Sequence, residues 1–449
     1  MHTRCAPASH SFLTPPGVGG SVQPMPRSLY LWGIVFIVAG GVLVTRVAPV
    51  GAAPTSAQDS KVARASRALA PTPEGAVRQK RAELLAGLNP RAHTLVDGRL
   101  TSRLPHGNRA VLTLEPSLEE FVTKLLKKNE VPYAGVVAIA PSTGKLLAYV
   151  SHSTAEPNGA DRALDASAPA ASVFKVITAT ALLNEGVSAT RNTCYHGGSH
   201  ALTMGELIDN PKLDKACASL TGALGFSINA VVAKLALKHL DPKKLTKQAS
   251  AYGFGESLPF DVQTEKSALD VPSDPLEFGR TAAGFWHMYL SPLHGAVIAA
   301  TIANRGRMMR PELVEEVQSE DGQVLYRSEP TLYRKVTEPL IAAQLGTMMK
   351  ATVNQGTSRR TFHDGRGRAL VPGVEIAGKT GTLSKESPYR GYTWWIGFAP
   401  VEDPKIALAV LLVNSPNWRI KAGGVAAETM RHFFVDMPKK PAAPKLARH

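Results

Sequence analysis

The feature that most restricts how this chain can fold is the placement of its strand-forming runs at two distant points. AGVVAIA (134–140) and KLLAYVS (145–151), joined by Pro141-Ser142-Thr143-Gly144, read as a hairpin. VEIAGKTGT (374–382), WWIGFAP (394–400) and KIALAVLLVN (405–414) read as three further strands. Between the groups, from about 170 to 310, the pattern is mostly helical, broken at Gly186, Gly197-Gly198, Gly253-Phe254-Gly255 and several prolines. An isolated strand cannot bury its apolar face, so the spacing predicts one sheet assembled from distant segments and backed by a helical lobe. Order is expected from Asn108, where RAVLTLEP reads as a short strand. A capping box of Ser117 and Glu120 should then open a helix running to about Lys128, and a last amphipathic helix should cover about 423–434.

The rest of the 449 residues reads as attachments. Residues 29–45 (LYLWGIVFIVAGGVLVT) are uncharged and mostly apolar, near the lower limit of ~17 residues for crossing a bilayer, and longer than the usual signal core. They read as a transmembrane anchor, with a cleaved signal the alternative. The expected organisation is a cytoplasmic tail (1–28), the anchor or signal core (29–45), a flexible basic linker (46–107), one catalytic domain (108–436) and a disordered basic tail (437–449). Lysine and arginine outnumber the acids 51 to 36, and much of the excess falls in these flanks: residues 58–110 hold ten basic against four acidic side chains. Such a balance suits solubility and loose adhesion to an anionic surface. Of three cysteines, Cys194 and Cys217 follow the apolar segment and can pair if the domain is exported, worth ~3 kcal/mol in the chain-entropy description. Two buried thiols are the other reading. No Cys/His cluster has zinc-site spacing, so no metal and no cofactor are expected.

Three short motifs carry chemistry. Ser172-Val173-Phe174-Lys175 precedes the helical run VITATALLNEG, which places serine and lysine one turn apart on one face, at an end that favours developing negative charge. Ser142-Thr143-Gly144-Lys145 has the same spacing but falls in the hairpin turn. Ser227-Ile228-Asn229 sits between Gly225 and a long helical run, whereas Ser415-Pro416-Asn417 trails a strand and contains proline. Lys379-Thr380-Gly381-Thr382 lies in a strand. The stretch from Gly373 to Thr380 also fits the phosphate-loop pattern of an NTPase, but the flanks lack the strand and helix that chemistry needs, and Asn414 stands where a magnesium-binding acid would be required.

Taken in order and separation, Ser172/Lys175, Ser227/Asn229 and Lys379-Thr380-Gly381-Thr382 resemble the transpeptidase domains of penicillin-binding proteins, as do RAVLTLEPSLEEF, GVVAIAPSTGKLLAYVS, SPLHGAVIAATIANRGRMMRP and GKTGT with WWIGFAP. The resemblance implies an α/β (α+β) fold, β-lactamase-like, with an antiparallel sheet of about five strands packed between helices and a helical subdomain. It implies a serine D,D-transpeptidase that cross-links peptidoglycan stem peptides ending in D-Ala-D-Ala and binds β-lactams covalently. Ser172 would be the nucleophile, Lys175 its base and Ser227 the proton relay. Asn229, Lys379, Thr380, Gly381 and Thr382 would hold substrate, with the backbone N–H groups of Ser172 and Thr382 as oxyanion hole. It further implies a single-pass protein of the bacterial inner membrane with its domain outside, other cell-wall synthesis proteins as partners, and no nucleic acid. The basic residues around 29–45 do not set that orientation; the chemistry does. Ala171 departs from the glycine common before the serine. A D,D-carboxypeptidase, a serine β-lactamase and a non-catalytic β-lactam sensor are the rival readings, the second disfavoured by the lack of a Glu-x-x-x-Asn after Ser227.

Overall fold

A computed structural model describes residues 73–198 and 201–437. The apolar segment 29–45 and the basic tail after 437 lie outside the described residues, among which no helix is long and apolar enough to cross a membrane.

The chain opens with α1 (Pro73–Leu84), β1 (Thr94–Val96), β2 (Arg99–Arg103), β3 (Arg109–Leu112), α2 (Pro116–Lys128), β4 (Tyr133–Ile139) and β5 (Leu146–Ser153). Its middle holds α3 (Lys175–Asn184), β6 (Asn192–Tyr195), α4 (Met204–Leu207), β7 (Ala216–Ser219), α5 (Leu220–Phe226), α6 (Asn229–His239), α7 (Pro242–Ala251), α8 (Pro275–Ala282) and α9 (Pro292–Ala303). Then come β8 (Arg307–Met309), β9 (Val314–Gln318), β10 (Val324–Arg327), β11 (Leu332–Lys335), α10 (Pro339–Asn354) and α11 (Arg359–Phe362). The chain closes with β12 (Ala377–Glu386), β13 (Tyr389–Ala399), β14 (Ile406–Asn414) and α12 (Ala422–Arg431).

The main sheet is five-stranded and antiparallel, in the order β12-β13-β14-β4-β5, so the early hairpin joins the late strands through β14 and β4. The run IALAVLLVN suits that central place because it is apolar on both faces, and both are covered. Consecutive residues of β13 point to opposite sides: Trp394 enters the core shared with α9 and the helical lobe, Trp395 the core under α2 and α12. α9 is buried all round, as a helix wedged between sheet and lobe must be.

Two expectations need correction. Order begins well before Asn108: β1 pairs with β2 and β2 with β3, in a small sheet of order β1-β2-β3-β9-β10. Each of these strands is three to five residues long, too short to stand out from the basic, loop-like composition around it. The sheet is fastened by Asp261, whose buried carboxylate accepts the N–H groups of Leu313 (2.6 Å) and Val314 (3.0 Å) and pairs with Arg81 and Arg310. The capping box also fails, because Pro116 starts α2 after Glu115 and the Ser117 hydroxyl instead lies 3.0 Å from His432 Nε2.

Glu119, in the first turn of α2, is buried and accepts the Tyr149 N–H at 2.8 Å. Burial pushes its carboxyl up from 4.5 to about 7, against the opposing effect of that hydrogen bond. Folding therefore favours the protonated form. Its contribution is fully present below about pH 4.5 and lost as pH rises through about 7. Glu119→Gln keeps an acceptor for Tyr149 and removes the charge. Its denaturant midpoint should match the parent's at pH 4.5 and exceed it at pH 8, by an amount on the order of 2 kcal/mol. Equal midpoints at pH 8 would refute this.

Candidate active site

The three motifs come from three parts of the chain and meet along the free edge of β12. Ser172 lies in a one-turn 3-10 helix, Ala171–Phe174, that leads into α3 at Lys175. The turn is held from both sides: Ala170 N–H donates to Met288 O (3.1 Å) and the Trp394 indole N–H to Pro169 O (2.9 Å). Ala171 has φ 51°, left-handed backbone that glycine adopts without strain. This is the position where the resemblance leads one to expect glycine.

Lys175 is fully buried, its Nζ 2.7 Å from Ser172 Oγ, 2.7 Å from Asn229 Oδ1 and 2.5 Å from Ala283 O. Two of these partners, an amide oxygen and a carbonyl, can only accept. A neutral amine has two N–H groups for them and one lone pair left for the third, the serine hydroxyl. Burial, and then the charge of Lys379, hold the Lys175 amine well below the usual lysine range. Lys379, also fully buried, donates to Ser227 Oγ (2.9 Å) and to its neighbour's carbonyl at Thr380 (2.8 Å), and burial lowers it to about 7. Among the described residues no carboxylate forms an ion pair with either lysine, so no opposite charge offsets the cost of burying theirs.

Ser227 caps α5 in left-handed backbone, φ 59°, and two residues later Asn229 opens α6. The kink lets Ser227 meet Lys379 while Asn229 meets Lys175 and donates from Nδ2 to Gly198 O (3.1 Å). Lys379 and Thr380 sit inside β12, paired with Ile396 and Trp395, and not at the loop-to-helix junction a phosphate loop requires. The two decoy motifs stay away: Lys145, in the turn after β4, pairs with Glu315 at 2.9 Å, and Ser415 follows β14 in a loop. The cleft between these elements, about 500 Å³, is lined by Ser172, Ser227, Asn229, Thr380, Gly381 and Thr382.

Three contributors escaped the sequence reading. Thr357 lies 2.6 Å from Thr380 through their hydroxyls while its N–H donates to Gly225 O at 3.1 Å, so one residue ties the second motif to the third. Gly284, at φ 80°, lies against the turn that carries Ser172; a Cβ there would be 2.4 Å from Ala171 O. Ala283 contributes a carbonyl, which no side-chain motif can reveal. An isolated glycine ending a helical run was the available signal for Gly284. Cys194 and Cys217 face each other across β6 and β7 and are joined as a disulfide.

Residues 134–434 match the family described as penicillin binding protein transpeptidase domain. The peptidoglycan D,D-transpeptidase PbpA of Mycolicibacterium smegmatis is 30% identical over 364 residues, covering 73% of this chain and 72% of that protein. PbpA of Mycobacterium tuberculosis H37Rv is 30% identical over 371 residues, 75% of this chain and 73% of that one. The crystal structure of PBPA from M. tuberculosis superposes with a TM-score of 0.59 at 29% identity, covering 71% of this chain and 80% of that one. Its imipenem acyl-enzyme complex gives 0.59 at 28% identity, covering 71% and 78%.

Proposed function

The chain belongs to the penicillin-binding protein transpeptidase family, and from that membership we propose that it is a peptidoglycan D,D-transpeptidase working through an acyl-enzyme on Ser172. The observation that carries this is the contact of Lys175 Nζ with Ser172 Oγ at 2.7 Å, in a site whose burial holds the amine well below the usual lysine range. Ser172 Oγ attacks the carbonyl carbon of the penultimate D-Ala as its proton passes to Lys175. The tetrahedral oxyanion is held by the N–H groups of Ser172 and Thr382. The C–N bond to the terminal D-Ala then breaks, and its nitrogen takes a proton relayed from Lys175 through Ser227, which Lys379 orients. Asn229 holds the substrate amide, and Lys379, Thr380 and Thr382 its carboxylate, with Gly381 leaving room for the backbone. Attack on the ester by a neighbouring stem's amine restores Ser172 and leaves a cross-link; attack by water gives the trimmed peptide. A β-lactam acylates Ser172 and stays.

The segment 29–45 anchors the domain on the cell-wall side of the bacterial inner membrane, where other cell-wall synthesis proteins are at hand and where the Cys194–Cys217 bond is stable.

The test uses the full-length protein with labelled benzylpenicillin, peptide mapping of the adduct, and a D-Ala-D-Ala peptide with an amine acceptor. A persistent adduct on Ser172 and release of D-Ala with formation of the amide product are expected. An adduct that hydrolyses within seconds would make the protein a β-lactamase, and no adduct at all would sink the acyl-enzyme reading.

A further inference from the structure

The second motif hangs from a small ribbon that the mechanism above does not use. β6 and β7 pair with each other and, among the described residues, with no other strand. Each is four residues long and partly exposed, and a ribbon of that size is marginal by itself. Both strands lead into the active site. β7 runs straight into α5, with Ser219 Oγ accepting the Gly222 N–H (3.2 Å), and α5 is capped by Ser227. β6 continues through His196 and Gly197 to Gly198, whose carbonyl accepts Asn229 Nδ2 at 3.1 Å.

That contact fixes which way the Asn229 amide faces. With Nδ2 on Gly198 O, Oδ1 is turned to Lys175 Nζ (2.7 Å); an amide turned over would set N–H groups against the lysine and oxygen against oxygen. The ribbon is clamped at its near end, where Thr221 donates from its N–H (3.0 Å) and its hydroxyl (2.9 Å) to Ala189 O. At its far end, beside the chain that runs to Gly198, the hold is the Cys194–Cys217 disulfide, the last pair but one of the ladder. The same Cys194 accepts Lys234 Nζ on its carbonyl (3.1 Å), from α6 itself, and Asp214 holds that lysine at 2.8 Å. The bridge therefore sits between the ribbon and the helix that Asn229 opens.

Resting on the transpeptidase reading, we propose that the disulfide is a positioning device for Asn229, and that Ser172 is acylated at its full rate only when Cys194 and Cys217 are joined. Both cysteines are exposed, so a dithiol reaches them. One dithiol supplies two electrons and two protons: its sulfurs close into a ring, the Cys194–Cys217 bond breaks, and two protein thiols remain. The far end of β6 then parts from β7, Gly198 O withdraws from the amide, and Oδ1 leaves Lys175. The enzyme is held back in a reducing compartment and brought to full rate by oxidation outside it.

The experiment uses the full-length protein carrying Cys5→Ser, which leaves this pair as the only cysteines, and follows acylation by labelled benzylpenicillin well below the melting temperature. Parent and Asn229→Ala are compared before and after dithiothreitol, with thiol titration to check the redox state and near-UV circular dichroism to check the fold. Reduction should slow the parent about tenfold, the worth of one hydrogen bond to a buried polar group, with the near-UV signal kept, and reoxidation should restore the rate. Cys194→Ser/Cys217→Ser should match the reduced parent and ignore the dithiol. Asn229→Ala is slow from the start, and reduction should change it less than about twofold, because the group through which the bridge acts is gone. A parent whose two thiols titrate but whose rate stays within about twofold overturns the proposal. So does an Asn229→Ala protein that reduction slows as much as it slows the parent, and so does a reduced parent without its near-UV signal, since the bridge would then hold the fold and not the amide. A parent that penicillin acylates in neither state overturns the enzymatic reading on which the proposal rests.

Discussion

Lys175→Met should slow acylation of Ser172 by benzylpenicillin by about a thousandfold or more, within the range a positioned general base supplies. Methionine fills the volume of the buried side chain and cannot take the hydroxyl proton, so the loss falls on the chemical step. The melting temperature should move by only a few degrees, because the cost of stripping the proton from a lysine on burial disappears with the amine and offsets the donors lost to Asn229 and Ala283. The pH profile gives an independent readout. Lys175 must be neutral to act, and burial together with Lys379 holds it well below the ordinary lysine range, so the rate rises with pH and levels off below that range. Lys379 must be charged to hold a carboxylate, and burial lowers it to about 7 in the free site, so the rate falls above that point. Lys379→Met should abolish the falling limb and move the rising one to higher pH, because the charge that helps hold Lys175 down is gone. A Lys175→Met protein that acylates within tenfold of the parent would remove the lysine from the mechanism.

Gly284→Ala should damage fold and site together. At φ 80° a side chain is strained wherever it points, and here its Cβ would meet Ala171 O at 2.4 Å and Ser172 Cα at 3.0 Å, both backbone, with no rotamer to escape through. The nucleophile turn or the end of α8 must shift, and α8 ends one residue before Ala283, whose carbonyl holds Lys175. A loss of about 3 kcal/mol in unfolding free energy and about a hundredfold in acylation rate is expected. Gly255→Ala separates backbone strain from this clash: Gly255 has φ 84° but nothing within 4 Å of where an added methyl would sit, so about 1 kcal/mol and an unchanged acylation rate are expected. Equal effects from the two substitutions would refute the contact argument.

What could be read in advance followed from periodicity and spacing. The strands around 134–151 and 377–414 were legible because long apolar runs leave few alternatives, and Ser172 with Lys175 because three residues of helix put them on one side. The rejected Ser142 and Ser415 motifs were separable for the same reason: neither lies on a helix. The short strands from 94 to 103 were not legible, since a strand of three to five residues acquires its identity from partners such as Val111, itself paired with Glu316 far along the chain. Thr357 and Gly284 act through contacts with residues remote in sequence. The Ser117 cap failed because Pro116 is itself well suited to the first helical position and moved the cap back by two residues, to Glu115.

The pairing of β4 with β14 has a consequence for how the protein comes into being. Ala134 lies beside Leu412, so the sheet closes between segments made at opposite ends of synthesis, and the strand bearing Lys379 reaches it only through β13 and β14. Until those late strands emerge, the helix that carries Ser172 and Lys175 has been made without the edge that completes its cleft. A nascent chain is thus inert toward its own substrate for most of its elongation, and its waiting strands β4 and β5 are the surfaces that a folding helper would have to shield.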